Sequence, residues 1–206
     1  MKALLVNGSP KKNGCTYTAL KEIAQELEKN GIETEIFHIG NKAIGGCMGC
    51  GACSKTGKCV QDDIVNSAIE KFLEADGFVF GSPVHYAAAS GGLTSFLDRV
   101  FYICGKRLAD KPGAAIVSCR RGGATAAFDQ LNKYFTISNM PVVSSQYWNM
   151  VHGNSPDEVV RDLEGMQTMR TLAKNMAWLL KCIDAADKAG IERPQREVKI
   201  STNYIR

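Results

Sequence analysis

The sequence predicts a three-layer α/β sandwich built on a five-stranded parallel sheet, and three observations carry that prediction. Short apolar runs alternate with helical patterns, giving five strands and five helices in turn. The first run, Ala3–Val6, is apolar without a break, as a strand covered on both faces must be. The dinucleotide fingerprint G-x-G-x-x-G is absent after that run. Its absence disfavours a nicotinamide-type Rossmann order and leaves the strand order 2-1-3-4-5 by elimination.

Each element has its own signature. A helix is expected over Thr16–Asn30, with Leu20, Ile23, Ala24 and Leu27 at helical spacing and Gly31 placed to end it. Glu33–His38 alternates and reads as the second strand, Asp63–Glu74 as a helix with Ile64, Ala68 and Phe72 on one face, and Gly77–Phe80 as the third strand. A helix over Gly92–Tyr102 follows, then a strand at Ala114–Ser118, a helix at Ala124–Phe135 and a fifth strand at Pro141–Ser145. The last helix has the clearest start, because Ser155-Pro-Asp-Glu158 supplies a cap, a proline at the first helical position and a capping-box glutamate. Its buried stripe is expected to run through Val159, Leu163, Met166, Met169, Leu172, Met176 and Leu179. Periodicity stops near Lys188, so the expected organisation is one domain over 1–188, with a cysteine-rich loop at 45–60, and a tail over 189–206.

Composition narrows the class. The 206 residues are 45% hydrophobic and 22% charged, ordinary for a globular protein with one good core. The net charge of +4 is too small and too dispersed for a nucleic-acid partner, and no apolar run reaches the roughly 18 residues needed to span a bilayer. The N-terminus enters a strand at once without a signal peptide's apolar region, so a cytoplasmic location is expected. Clustered cysteines in a reducing compartment mean metal or redox work rather than a disulfide framework.

Four of the eight cysteines fall within thirteen residues: Cys47, Cys50, Cys53 and Cys59, spaced C-x2-C-x2-C-x5-C. Interspersed glycines let the backbone curl until the sulfurs converge. Soft thiolates suit an iron–sulfur cluster or zinc, and two successive CxxC steps sharing a cysteine tilt the spacing toward iron. Zinc, and redox-active or merely free thiols, stay open at this point. Of the isolated cysteines, Cys104 and Cys182 read as core residues, while Cys119 lies in a loop described next. His38 closes the second strand with no visible partner and reads as structural.

Three loops should end beyond the carboxyl edge of the sheet, where ligands bind in such folds. Gly8–Thr16 is rich in hydroxyls, amides and glycine and leads into a helix N-terminus, a phosphate site by geometry and dipole; Ser9 and Thr16 can donate, and Lys11 or Lys12 can add charge. Gly81–Ala87 offers Pro83 at its start and the His85–Tyr86 pair for a planar ring. Ser118–Gly123 brings Arg121 with Gly122 and Gly123, permitting close backbone approach and a cation near an anionic ring edge. Each alone also reads as a surface turn; together they point to one bound nucleotide. The segment Gln146–Gly153 either lines that pocket or anchors a loop.

These motifs resemble a known family. Asn7-Gly-Ser-Pro10 with Gly14 and Thr16, Gly81-Ser-Pro-Val84 leading to Ser95-Phe-Leu-Asp-Arg99, and Arg121-Gly-Gly123 are similar to the NAD(P)H-dependent FMN reductases of flavodoxin-like fold, and within them to the iron–sulfur flavoproteins. The resemblance covers roughly Met1–Lys181. It implies FMN, its phosphate held by Ser9, Asn13 and Thr16 and its ring resting against Pro83, Val84, His85 and Tyr86 and against the Ser118–Gly123 loop. Cys15 departs from the polar Asn or Ser of many relatives. The family implies a nicotinamide delivering hydride to the flavin, which passes electrons to a quinone or an iron–sulfur centre. The alternative is a 4Fe–4S carrier on Cys47, Cys50, Cys53 and Cys59 that takes electrons from a ferredoxin-like partner. The cysteine loop then suits a subunit interface, and a homodimer or homotetramer is expected. A binding module with structural zinc is the non-redox reading, and it leaves the three loops idle.

Overall fold

The computed structural model describes residues 1–202 and Tyr204. The last positions of the expected tail, 203, 205 and 206, lie outside the described residues. Strand β1 (Lys2–Asn7) is flanked in parallel by β2 (Glu33–His38) and β3 (Gly77–His85), in registers that place Lys2 beside Glu33 and Ala3 beside Gly77. β3 pairs with β5 (Gly113–Cys119), and β5 with β6 (Met150–His152). The parallel path β2-β1-β3-β5-β6 is the expected order. The short β4 (Ala88–Ala89) adds a sixth strand, folding back antiparallel on β3.

Strand residues alternate between two cores because successive side chains point to opposite faces. Leu4, Val6, Phe78, Phe80, Ala115 and Val117 pack against α3 (Ile64–Glu74), α4 (Gly91–Cys104) and α5 (Ala124–Ile137). Ala3, Leu5, Val79, Ala114 and Ile116 pack against α1 (Cys15–Lys29) and α7 (Leu163–Lys188). Phe80 stacks on Phe135 at 4.7 Å between ring centroids. Gly113 makes room for that ring, since a Cβ there would lie 2.3 Å from it. Two short helices complete the chain, α2 (Cys53–Thr56) inside the cysteine loop and α6 (Pro156–Arg161) before α7.

Three expectations are corrected. Pro141–Ser145 is not the fifth strand; only Val142 bridges to Gly113, and Met150–His152 takes the place instead. The cause is Asn149, whose carbonyl accepts the Val117 N–H at 3.0 Å and whose side chain donates to the Ala115 carbonyl at 3.1 Å. It thereby occupies the part of the β5 edge that Pro141–Ser145 would need. The last helix is broken at Asp162, which ends α6 and caps α7 by accepting from the Gly165 N–H at 2.9 Å, so Leu163 turns out to solvent. Cys182 is exposed rather than in the core, whereas Cys104 is buried. Among the described residues no helix is long and apolar enough to cross a membrane.

Candidate functional site

The carboxyl edge of β1 turns into Gly8–Gly14 through a web made by Asn7. Its side-chain oxygen accepts the Ser9 N–H at 3.1 Å and its amide donates to the Lys12 carbonyl at 3.0 Å. Ser9 Oγ in turn accepts the Lys11 N–H at 3.1 Å. His38 is not idle: its Nε2 lies 2.8 Å from the Ser9 carbonyl and ties the end of β2 to this loop. Gly8 crosses so close to Leu93 and the Gly81 carbonyl that a Cβ would fall within 3 Å of both, and its N–H donates to that carbonyl at 2.8 Å.

The second loop begins later than expected, because β3 continues through Pro83 and Val84 to His85. Tyr86 and Ala87, at φ 48° and 58°, then form the two-residue turn into β4. Left-handed backbone at two non-glycine residues costs on the order of 1–2 kcal/mol each, a strain characteristic of functional loops. It leaves the Tyr86 ring fully exposed beside His85. Ser82 Oγ accepts the Ser90 N–H at 2.9 Å and steadies the hairpin's return.

The third loop closes on both others. Ser118 Oγ and Thr16 Oγ1 are 2.8 Å apart and buried, joining the end of β5 to the start of α1. Gly123, at φ 86°, lies against Ala87, where a Cβ would come 2.7 Å from the Ala87 Cα. Gly122 faces open space, and Arg121 is exposed beside it. Burial raises the thiol pKa of both Cys15 and Cys119, so neither is poised as a thiolate. Of the expected residues, Ser9, Thr16, Pro83, Val84, Ser118 and Gly123 are packed at this edge, and Lys11, Asn13, His85, Tyr86, Arg121 and Gly122 stand around it. Asn7, His38 and Ser82 were not foreseen as site residues; their partners are set by the fold.

Helix termini show what the edge is suited to hold. No side chain caps α1, α4 or α5, and no acidic residue stands in their first turns. By contrast, Asp63, Ser155 and Asp162 cap α3, α6 and α7. The α1 and α5 termini, adjoining the first and third loops, thus keep free N–H groups and a positive dipole end for an anion. A phosphorylated planar cofactor such as FMN fits this arrangement.

The cysteine loop lies between β2 and α3, as expected. All eight cysteines are free thiols. Cys47, Cys50, Cys53 and Cys59 line one cavity of about 200 Å³ with Met48, Val60, Tyr102 and Arg99. Among the described residues no three metal-binding side chains close on a point that would hold a single ion. Four cysteine sulfurs lining one cavity are a soft donor set of the kind that takes an iron–sulfur cluster or zinc. Arg99, 1% exposed, sits at the base of the cavity, paired with Asp63 at 2.6 Å. Burial by itself would lower the guanidinium pKa, but the bonds to Asp63 and Cys59 outweigh it and the net shift is upward. A charged residue among Phe96, Leu97 and Val100 on a buried helical face was the sequence signal for this arginine.

Comparison with known proteins agrees with these features. The profile of the NADPH-dependent FMN reductase family matches residues 1–155. An iron–sulfur flavoprotein of Methanocaldococcus jannaschii is 32% identical over 191 residues, covering 89% of this chain and 99% of its own. One from Archaeoglobus fulgidus is 34% identical over 174 residues, covering 82% and 86%. The flavodoxin-like WrbA-like protein of Agrobacterium tumefaciens superposes with a TM-score of 0.64 at 14% identity, over 88% of this chain and 98% of its own.

Proposed function

The chain belongs to the NADPH-dependent FMN reductase family, and from that premise we propose an FMN-dependent oxidoreductase that draws electrons from NADPH or NADH and passes them to a quinone or an iron–sulfur centre. The observation that carries this reading is the pair of uncapped helix termini, α1 and α5, on loops that the fold presses together. Ser9, Asn13 and Lys11, with the first-turn N–H groups of α1, hold the phosphate. The Thr16–Ser118 hydroxyl pair keeps one O–H beyond the hydrogen bond the two share. Pro83, Val84, His85 and Tyr86 on one side and Ser118, Gly122 and Gly123 on the other place the ring, with Arg121 beside its anionic edge. When bound, FMN supplies the hydride-accepting and electron-releasing chemistry. The protein's own part is to bind, orient and shield.

The four cysteines form the second half of the proposal: Cys47, Cys50, Cys53 and Cys59 hold a 4Fe–4S cluster. The names of the Methanocaldococcus and Archaeoglobus relatives, together with the shared cavity, support it. The exposure of Cys47 and Cys50 favours a second reading of the donor, in which a ferredoxin-like protein reaches the cluster at the surface. An oligomer, dimer or tetramer, would then set the cluster near a neighbouring flavin.

Anaerobic rapid mixing separates the donors. Bleaching of the oxidised flavin band by NADPH or NADH at turnover rates is the expected result. Bleaching by reduced ferredoxin alone replaces the nicotinamide with the protein donor, and a flavin that neither reduces contradicts both.

A further inference from the structure

We propose that Arg99 is the positioning residue of the cysteine cavity: it latches the loop shut at its base and, through an N–H···S bond to Cys59, raises the reduction potential of the cluster held there. The second half of the proposal rests on the cluster reading above; the first does not.

The five N–H groups of the guanidinium each have a partner, which fixes its orientation. Nε donates to Cys59 Sγ at 3.3 Å. Nη1 donates to Asp63 Oδ2 at 2.6 Å and to the Gly45 carbonyl at 3.2 Å. Nη2 donates to Asp63 Oδ1 and to the Gln61 carbonyl, both at 2.9 Å. Gly45 and Gln61 stand at the two ends of the cysteine loop, so one side chain rooted in α4 holds both ends together. Gln61 adds a second tie by donating to the Gly46 carbonyl at 3.0 Å.

Cys59 is held more firmly than its fellows. The Asn66 side chain accepts its N–H at 2.8 Å and donates to its carbonyl at 3.0 Å. Cys47 Sγ, by comparison, accepts only the Gly49 N–H at 3.5 Å, on an exposed stretch. One ligand is therefore pre-organised before any metal arrives, while Cys53, on α2, donates only to the Tyr102 carbonyl at 3.9 Å and Cys47 and Cys50 lie on the exposed stretch. A cation donating to a ligating sulfur stabilises the form of a cluster that carries the extra electron, which raises its potential. Lysine at the same place would keep the charge but could not reach five acceptors in a planar fork.

Three measurements on anaerobically prepared full-length protein test this: iron and sulfide content, the cluster midpoint potential, and hydrogen exchange over residues 45–61 in the metal-free protein. Arg99→Lys is expected to exchange that loop about tenfold faster or more, as a latch removed from a locally opening segment does, and to show a lower potential than wild type. If Arg99→Lys fails to fold, Asp63→Asn serves. It keeps Arg99 but no longer offsets its charge, so the potential is expected to rise while loop exchange still quickens. Unchanged exchange in the folded variant overturns the latch, and faster exchange with an unchanged potential overturns the tuning. Wild-type protein that never holds iron would defeat the cluster reading and the tuning with it. That failure precedes any substitution and leaves the exchange comparison to decide the latch on its own.

Discussion

Gly123 is where two loops of the site meet, and the meeting leaves no room for a side chain. A Cβ there would press on the Ala87 backbone at 2.7 Å and on Val84 at 3.0 Å, at a φ that L-residues avoid. Gly123→Val must push the Tyr86 hairpin away from the α5 terminus. The expected outcome is a loss of about 2 kcal/mol or more of stability, from backbone strain and overpacking combined, with FMN affinity at least about tenfold weaker. Thermal unfolding and flavin titration check the two parts. At this scale the sequence was legible in part: the glycine pair suggested close backbone approach, but not that the approach was to Ala87. His38 was read as partnerless because its acceptor, the Ser9 carbonyl, lies 29 residues away. Arg99 entered the sequence reading through a family motif; its charge on an apolar helical face was a further signal, but its partners, 36 to 54 residues away, were not legible.

Among elements, α3 carries more than a cap. Asp63 accepts the Val65 N–H at 3.0 Å and also neutralises buried Arg99. Asp63→Ala therefore loses a cap worth about 1 kcal/mol and strands a buried charge, for a total of about 3–5 kcal/mol. Ser155→Ala loses only the exposed cap of α6, about 1 kcal/mol. Denaturant unfolding of the two metal-free variants should rank them in that order, and equal costs would show that Arg99 does not depend on Asp63. Toward the other end of the same helix, Glu35 of β2 is bridged by Lys2 and Lys71 at 2.8 and 2.6 Å. Its hydrogen bond to Lys2, then that to Lys71, hold its pKa below the ordinary 4.5. A carboxylate lowered in the folded state stabilises above its unfolded pKa and loses that contribution as pH falls from about 4.5 toward the lowered value. Glu35→Gln should be less stable than wild type at neutral pH, with the gap narrowing across that acid range; a gap independent of pH would contradict the assignment. The elements themselves were mostly readable from period alone. The exceptions have local causes: the apolar period runs on through Leu163 and hides the break that Asp162 makes, and the Pro141–Ser145 run, with β-branched Val142 and Val143, reads as a strand although Asn149 holds the β5 edge.

Across the whole molecule, the alternation of strands and helices and the unbroken run Ala3–Val6 led to a parallel sheet, and the missing G-x-G-x-x-G led to the observed order by elimination. They could not show which helix ends stay uncapped, because capping depends on side-chain direction. α1 and α5 leave their termini open over the C-terminal edge, while α3, which follows the cysteine loop, is capped by Asp63, itself paired with Arg99. The most direct test of this account is flavin, iron and sulfide analysis per chain on protein purified without oxygen. The account predicts one FMN with about four iron and four sulfide, the content of one cubane on four thiolates. A chain that neither carries flavin nor takes up added FMN would contradict it.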